Sequence, residues 1–110
     1  MIKRKIYILS SENNGEKVFK IGYTKNKVED RVKQLKTGNS NDISIEYILG
    51  ESYFSHKIEA YLHKMLESKK VDGEWFILSS EDIDKCKEIF NKLDESYQFL
   101  NKSNEFFKYK

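Results

Sequence analysis

Proline is absent from this 110-residue sequence, and cysteine occurs once, at Cys86. Without proline there is no polyproline segment or proline-rich linker to separate two domains. One cysteine provides neither an internal disulfide framework nor a cysteine-based zinc site, and nothing points to an oxidising compartment. No apolar run approaches the ~20 residues that a membrane helix needs. Met1-Ile2-Lys3-Arg4-Lys5 is basic but has no signal-peptide core behind it, so secretion and membrane insertion are not expected. The expected setting is the cytoplasm, with the nucleus left open. Internal repeats and low-complexity stretches are also missing.

Apolar residues make up 38% of the chain and charged residues 35%, enough to close one core and bury roughly 60 to 70% of the unfolded surface. The formal net charge is only +2, but its distribution is uneven. Residues 1–38 hold ten Lys or Arg against four acids, and the remainder holds ten against fourteen. A basic front is the electrostatic footprint of a chain that meets phosphate, although solvated lysines kept for solubility would look the same. Of twenty basic residues only Arg4 and Arg31 are arginine. An arginine here therefore marks a candidate bidentate fork for phosphate, and Arg31 is the one to follow.

Ile6 and Ile8 alternate with Tyr7 and Leu9, the stretch Ser10 to Glu16 supplies Asn and Gly for a turn, and Lys17 to Tyr23 alternates again. This predicts a β-hairpin. Val28, Val32 and Leu35 then recur at helical spacing, with Asn26 as a candidate N-cap and Gly38 just past the end. Ile43, Ile45, Tyr47 and Leu49 predict a third strand bounded by Gly50. From Phe54 to Ser68 the residues Ile58, Leu62 and Met65 predict a second helix. Glu74 to Leu78 reads as a short strand after the Asp72-Gly73 turn, burying part of Trp75. Ser79 or Ser80 then caps a last helix whose stripe is Ile83, Cys86, Phe90, Leu93, Tyr97 and Leu100, with Cys86 an ordinary core residue. That stripe packs on its own sheet or, alternatively, mediates a dimer. The expected fold class is a small α+β domain with a central antiparallel sheet flanked by helices. It occupies residues 1–100, followed by an aromatic and basic tail, residues 101–110, with Phe106, Phe107 and Tyr109.

Glu59 and His63 lie four apart on one face of the second helix, roughly 100° from its apolar stripe. Such a pair can share a metal or a phosphate, or simply be solvated. No cluster of several carboxylates exists, so a two-metal site is not expected and at most one ion is held. Tyr7 in mid-strand reads as a core tyrosine with its hydroxyl at the rim. Lys20 interrupts Phe19 and Ile21 directly before Gly22, whose missing side chain lets a backbone or ligand come close, although a strand lysine can also just face water. A fold that brought Tyr7, Lys20, Arg31 and Glu59 together would have a proton relay, two phosphate clamps and a metal ligand.

Lys5-Ile6-Tyr7-Ile8-Leu9, Phe19-Lys20-Ile21-Gly22-Tyr23-Thr24, Arg31, Glu59 in Ile58-Glu59-Ala60-Tyr61-Leu62-His63, and Gly73-Glu74-Trp75-Phe76 stand in an order that resembles the GIY-YIG nuclease superfamily, in its phage DNA-binding and meiotically up-regulated-gene branch. The resemblance runs from about Lys3 to Leu78 and implies a three-stranded antiparallel sheet flanked by helices, with an extra short strand and a C-terminal helix. It also implies hydrolysis of a DNA phosphodiester with one Mg²⁺ or Mn²⁺. On that resemblance Tyr7 helps deprotonate the attacking water, Arg31 steadies the scissile phosphate and Glu59 binds the metal. Lys20 stands where the second motif has tyrosine and would supply electrostatic stabilisation, Leu35 stands where many members have histidine or tyrosine, and His63 would take over proton transfer. The candidate DNA contacts are Lys17, Lys25, Lys27, Lys33 and Lys36.

Three functions follow as expectations: a metal-dependent DNA endonuclease or nickase, a non-catalytic DNA-binding module of the same fold, and a small interaction protein. The last would hold a second copy or a protein partner through the final helix or tail. Heavy lysine and asparagine usage and the small format suit a phage or viral protein.

Overall fold

The computed structural model describes residues 2–37 and 42–108, without the side chains of Asp72 and residues 103–108. Strands β1 (Arg4–Asn13) and β2 (Glu16–Thr24) form an antiparallel hairpin closed by Asn14 and Gly15 alone. Both turn residues have positive φ, 53° and 82°, which a two-residue turn matching strand twist requires and which Asn-Gly supplies. The turn is thus tighter than the seven residues expected for it, and it sets the register that places Tyr7 opposite Gly22 and Leu9 opposite Lys20. Slipping by one residue would turn every side chain to the other face.

Helix α1 (Val28–Lys36) follows, then β3 (Ser44–Ser52) on the far edge of β1, helix α2 (Ser55–Met65), a 3₁₀ turn at Glu67–Lys69, a hairpin of β4 (Lys70–Asp72) and β5 (Trp75–Phe76), and helix α3 (Ser80–Lys108). All strand pairings are antiparallel and the order is β3-β1-β2-β5-β4. The sheet therefore has five strands, one more than the three and the extra short strand expected. The expectation missed β4 because three residues are too few to show alternation, and Glu74 belongs to the turn that joins β4 to β5.

Other boundaries moved for local reasons. The N-cap of α1 is Lys27, with no side-chain cap; the Asn26 backbone N–H instead donates to Thr24 Oγ1 (3.1 Å). Gly50 does not end β3 but lies opposite Ile6 within it, where the Phe90 ring packs against its bare Cα. Helix α3 runs on through the segment expected to be a tail. Gly38 and Tyr109 lie outside the described residues, as do the side chains of Phe106 and Phe107.

Residues Ile6 to Ser11 are all buried because helices cover both faces of β1. On one face Ile6, Ile8, Phe19 and Ile21 meet Ile58 and Leu62 of α2 and Cys86 and Phe90 of α3. On the other, Tyr7 and Leu9 meet Val28 and Val32 of α1, with Trp75 partly buried beside them. The stripe of α3 packs on its own sheet through Tyr97, while Phe99 and Leu100 are exposed. Burial pushes the Cys86 thiol up to about 11, which keeps it an inert core residue. Among the described residues no helix is long and apolar enough to cross a membrane.

Ser79 is the residue that caps α3: its Oγ accepts from the Asp82 N–H (3.2 Å), and Asp82 Oδ2 accepts from the Ser79 N–H (2.8 Å). This reciprocal cap satisfies two otherwise orphaned donors. Lys69, hydrogen-bonded to Asp82, holds its carboxyl below the usual range, and Ser79 adds to the effect. A carboxyl lowered in the folded state contributes stability that is complete above the unfolded value, about 3.9, and is lost as pH falls through the folded value. Asp82→Asn is therefore expected to lower Tm near neutral pH by a few degrees, for a cap worth about 1 kcal/mol. The deficit should shrink as the scan is repeated toward pH 3. A deficit that stays constant with pH would show that the charge contributes nothing.

Candidate functional site

Strand β5 pairs with β2 only at Phe19 and Lys20, so from Ile21 onward the outer edge of β2 has no strand beside it. His63 fills part of that gap. Its Nε2 lies 2.8 Å from the Ile21 carbonyl and 3.4 Å from Glu59 Oε1, and its ring meets Phe76 edge-on. A carbonyl only accepts, so Nε2 carries a proton, and in the neutral ring Nδ1 is the nitrogen free to accept one.

The Tyr7 ring crosses β2 over Gly22, where a Cβ would stand 2.5 Å from the hydroxyl and 2.7 Å from Cζ. The close approach expected at Gly22 is thus filled by this protein's own tyrosine. At the far side Arg31 Nε donates to Tyr7 Oη over 3.4 Å, and Arg31 Nη1 donates to Gln34 Oε1 (3.2 Å). Tyr7 is 1% exposed, and burial pushes its phenol up despite the Arg31 hydrogen bond and charge. It is a phenol near neutral pH.

Lys20, only 13% exposed in its side chain, gives its ammonium to Glu74, which is 68% exposed, and lies over the Trp75 ring (5.8 Å). Lys20 in turn pulls the Glu74 carboxyl down. Glu74, expected only as the first residue of a strand, is thus a functional side chain without a sequence signal beyond its place next to Gly73, since nothing in spacing shows that this turn folds over β2. Burial pushes the Glu59 carboxyl up, His63 only partly offsets this, and Glu74 raises it further. Tyr7, Lys20, Arg31, Glu59 and His63 therefore meet at one open sheet edge, joined by Glu74.

The lysines divide. Lys25 and Lys27, in the link from β2 to α1, and Lys33 and Lys36, on α1, are exposed and have no ion pair among the described residues. Lys17 sits at the hairpin end opposite Glu12, roughly 17 Å along the strand from Gly22 by the strand rise, and pairs with Glu46 at 3.0 Å.

Among the described residues no three His, Cys, Asp or Glu side chains converge on a metal-sized site. That donor set does not suit tetrahedral zinc or a two-metal centre. A carboxylate that burial only partly covers, its side chain 23% exposed, does suit a single hydrated Mg²⁺-like cation that takes its remaining ligands from water and phosphate.

The family model of the T5orf172 domain matches residues 4–91. No curated protein and no solved structure matches the chain. The T5orf172 family is distinct from GIY-YIG and no GIY-YIG model matches, so the resemblance drawn from the motifs is corrected. The reason is physical: the pattern around Tyr7 and Gly22 serves local packing, the ring lying across the glycine between two covered faces, and so short a pattern does not fix the family. The chain belongs to the T5orf172 domain family, a phage-associated, DNA-related family.

Proposed function

We propose that this protein is a DNA phosphodiesterase, an endonuclease or nickase, that works with one Mg²⁺ or Mn²⁺ held through Glu59. The observation that carries this reading is the convergence of the Tyr7–Arg31 contact, Lys20 and the Glu59–His63 pair at the open edge of β2. A cation bound at Glu59 would supply positive charge to the phosphate and to the departing oxygen. Arg31 offers its guanidinium fork to the phosphate oxygens and holds the Tyr7 hydroxyl through its Nε. Tyr7 orients the attacking water, and His63, held by the Ile21 carbonyl, receives the water's proton at Nδ1. Lys20 faces the charge that develops on the phosphate once the exposed Glu74 carboxylate gives way to it.

Supercoiled plasmid incubated with the protein and Mg²⁺ or Mn²⁺ is expected to become nicked or linear, and added chelator should stop the reaction. Binding without cutting under either metal would favour a second reading, a DNA-binding module without turnover. The Lys20–Glu74 pair supports that alternative, since one phosphate clamp is already neutralised. On both readings Lys25 and Lys27 contact phosphate. Each Lys→Ala change should weaken duplex binding whatever the sequence and make the plot of log affinity against log salt shallower by about 0.9. Unchanged slopes in both variants would place the DNA elsewhere.

A further inference from the structure

Helix α2 is pinned to the hairpin at two points. Ser55 Oγ donates to the Arg4 carbonyl (2.5 Å), and His63 sits on the Ile21 carbonyl. Eight helical residues rise about 12 Å, and the stretch of sheet between those carbonyls is about as long, so the helix tracks the strand. Glu59 lies midway between Ser55 and His63, level with Gly22 and Tyr23. Tyr23 points to the same side of the sheet as Ile21, remains 37% exposed, and has the Arg4 guanidinium 5.7 Å from its ring centre. Arg4 makes no salt bridge among the described residues. In register it faces Ser52 on the other neighbouring strand, and the next residue, Tyr53, is 42% exposed under the Lys3 ammonium (5.3 Å). Two exposed tyrosines, each with a cation on its ring, thus flank the first residues of β1.

We infer that Tyr23 and Arg4 form a subsite for an unpaired DNA base next to the phosphate bound at Arg31 and Glu59, with Tyr53 and Lys3 as a second platform. The inference rests on the proposed phosphodiesterase reading and narrows its substrate to DNA with single-stranded character, such as a flap, a gap or a strand end. Only a base released from its helix neighbours can offer its face to a tyrosine ring, and exposed rings interleaved with cations are how proteins hold single strands. Arg4 serves the adjoining phosphate with a planar fork, and exposed Lys25 and Lys27 continue the positive track beyond Tyr23.

The test is fluorescence anisotropy, in chelator so that nothing is cut, on a labelled single strand and on its blunt duplex, with the parent protein, Tyr23→Phe and Tyr23→Leu. Tyr23→Leu should weaken single-strand binding about 5- to 100-fold while leaving duplex affinity and the salt slope unchanged, and Tyr23→Phe should behave as the parent. Single-strand binding unaffected by Tyr23→Leu, or an equal loss on both DNAs, would overturn the inference, as would tighter binding of the RNA strand of the same sequence. A selective loss in a protein that never nicks plasmid would remove the nuclease reading and leave the subsite standing. Nicking without selective loss would do the reverse.

Discussion

Glu59→Gln is expected to reduce plasmid nicking by about 10² to 10³-fold or more, the range seen when a group that stabilises transition-state charge is removed. The substitution keeps the shape of the side chain and the approach to His63 but removes the charge that would hold the cation. It separates function from stability because the two effects have opposite signs. Burial disfavours the ionised Glu59 carboxyl in the fold, so near neutral pH its charge costs stability, and the metal-free Gln variant should melt no lower than the parent. Nicking at the parental rate with the same metal dependence would show that the cation is held elsewhere. Arg31→Lys is a useful companion. A lysine there keeps the charge but loses the fork and the donor to Tyr7, so a large loss in this variant would assign the role to geometry and not to charge alone.

Gly22→Ala should be nearly as damaging, although glycine has no chemistry of its own. The new methyl would stand 2.5 Å from the Tyr7 hydroxyl and 2.7 Å from Cζ, and the ring is too well packed between β2 and α1 to yield freely. Overpacking of this kind costs about 1 to 3 kcal/mol, partly offset because alanine loses less freedom on folding than glycine. The larger effect is on the site: a ring pushed aside by about 1 Å carries its hydroxyl off Arg31, and misplacement on that scale costs about 10²-fold in rate. Stability measured by urea unfolding and nicking measured on plasmid should therefore part company, with a modest loss in the first and a severe loss in the second. Tyr7→Phe sets the reference, since it removes the hydroxyl and leaves the ring in place. Parental activity in both variants would take Tyr7 out of the site.

How much of this was legible varied with the range of the interaction. Elements of eight residues or more announced themselves, because alternation in β1 and β2 and the helical stripes of α2 and α3 are local patterns imposed by burial on a regular backbone. Of the two short strands β5 was legible, expected over Glu74 to Leu78 and trimmed to Trp75–Phe76, whereas β4 was not: its three residues show no alternation, and it is a strand only because the turn at Gly73 and Glu74 brings it beside β5. The extent of α3 was misjudged for a related reason. The polar run Asn101-Lys102-Ser103-Asn104 interrupts its apolar stripe after Leu100, yet backbone propagation needs no stripe.

The residue types of the candidate site were visible in the chain, since Arg31, Glu59 and His63 carry rare or paired chemistry at helical spacing and Lys20 interrupts an apolar strand. The family was not. Short motifs around a tyrosine and a glycine report the demands of local packing, whereas the T5orf172 match extends over residues 4–91.

By itself, then, the sequence determined the α+β class, a hairpin whose turn falls between Ser10 and Glu16, a core place for the Tyr7 ring and the concentration of positive charge at the front. Each follows from residue preferences acting over a few neighbours. Only the tertiary structure decided that β5 stops at Lys20 and leaves an open edge, that His63 closes part of it, that Tyr7 lies across Gly22, and that Glu74 neutralises Lys20 from 54 residues away. Those are contacts between segments distant in sequence, and their existence depends on where the chain returns in space, which no local propensity encodes.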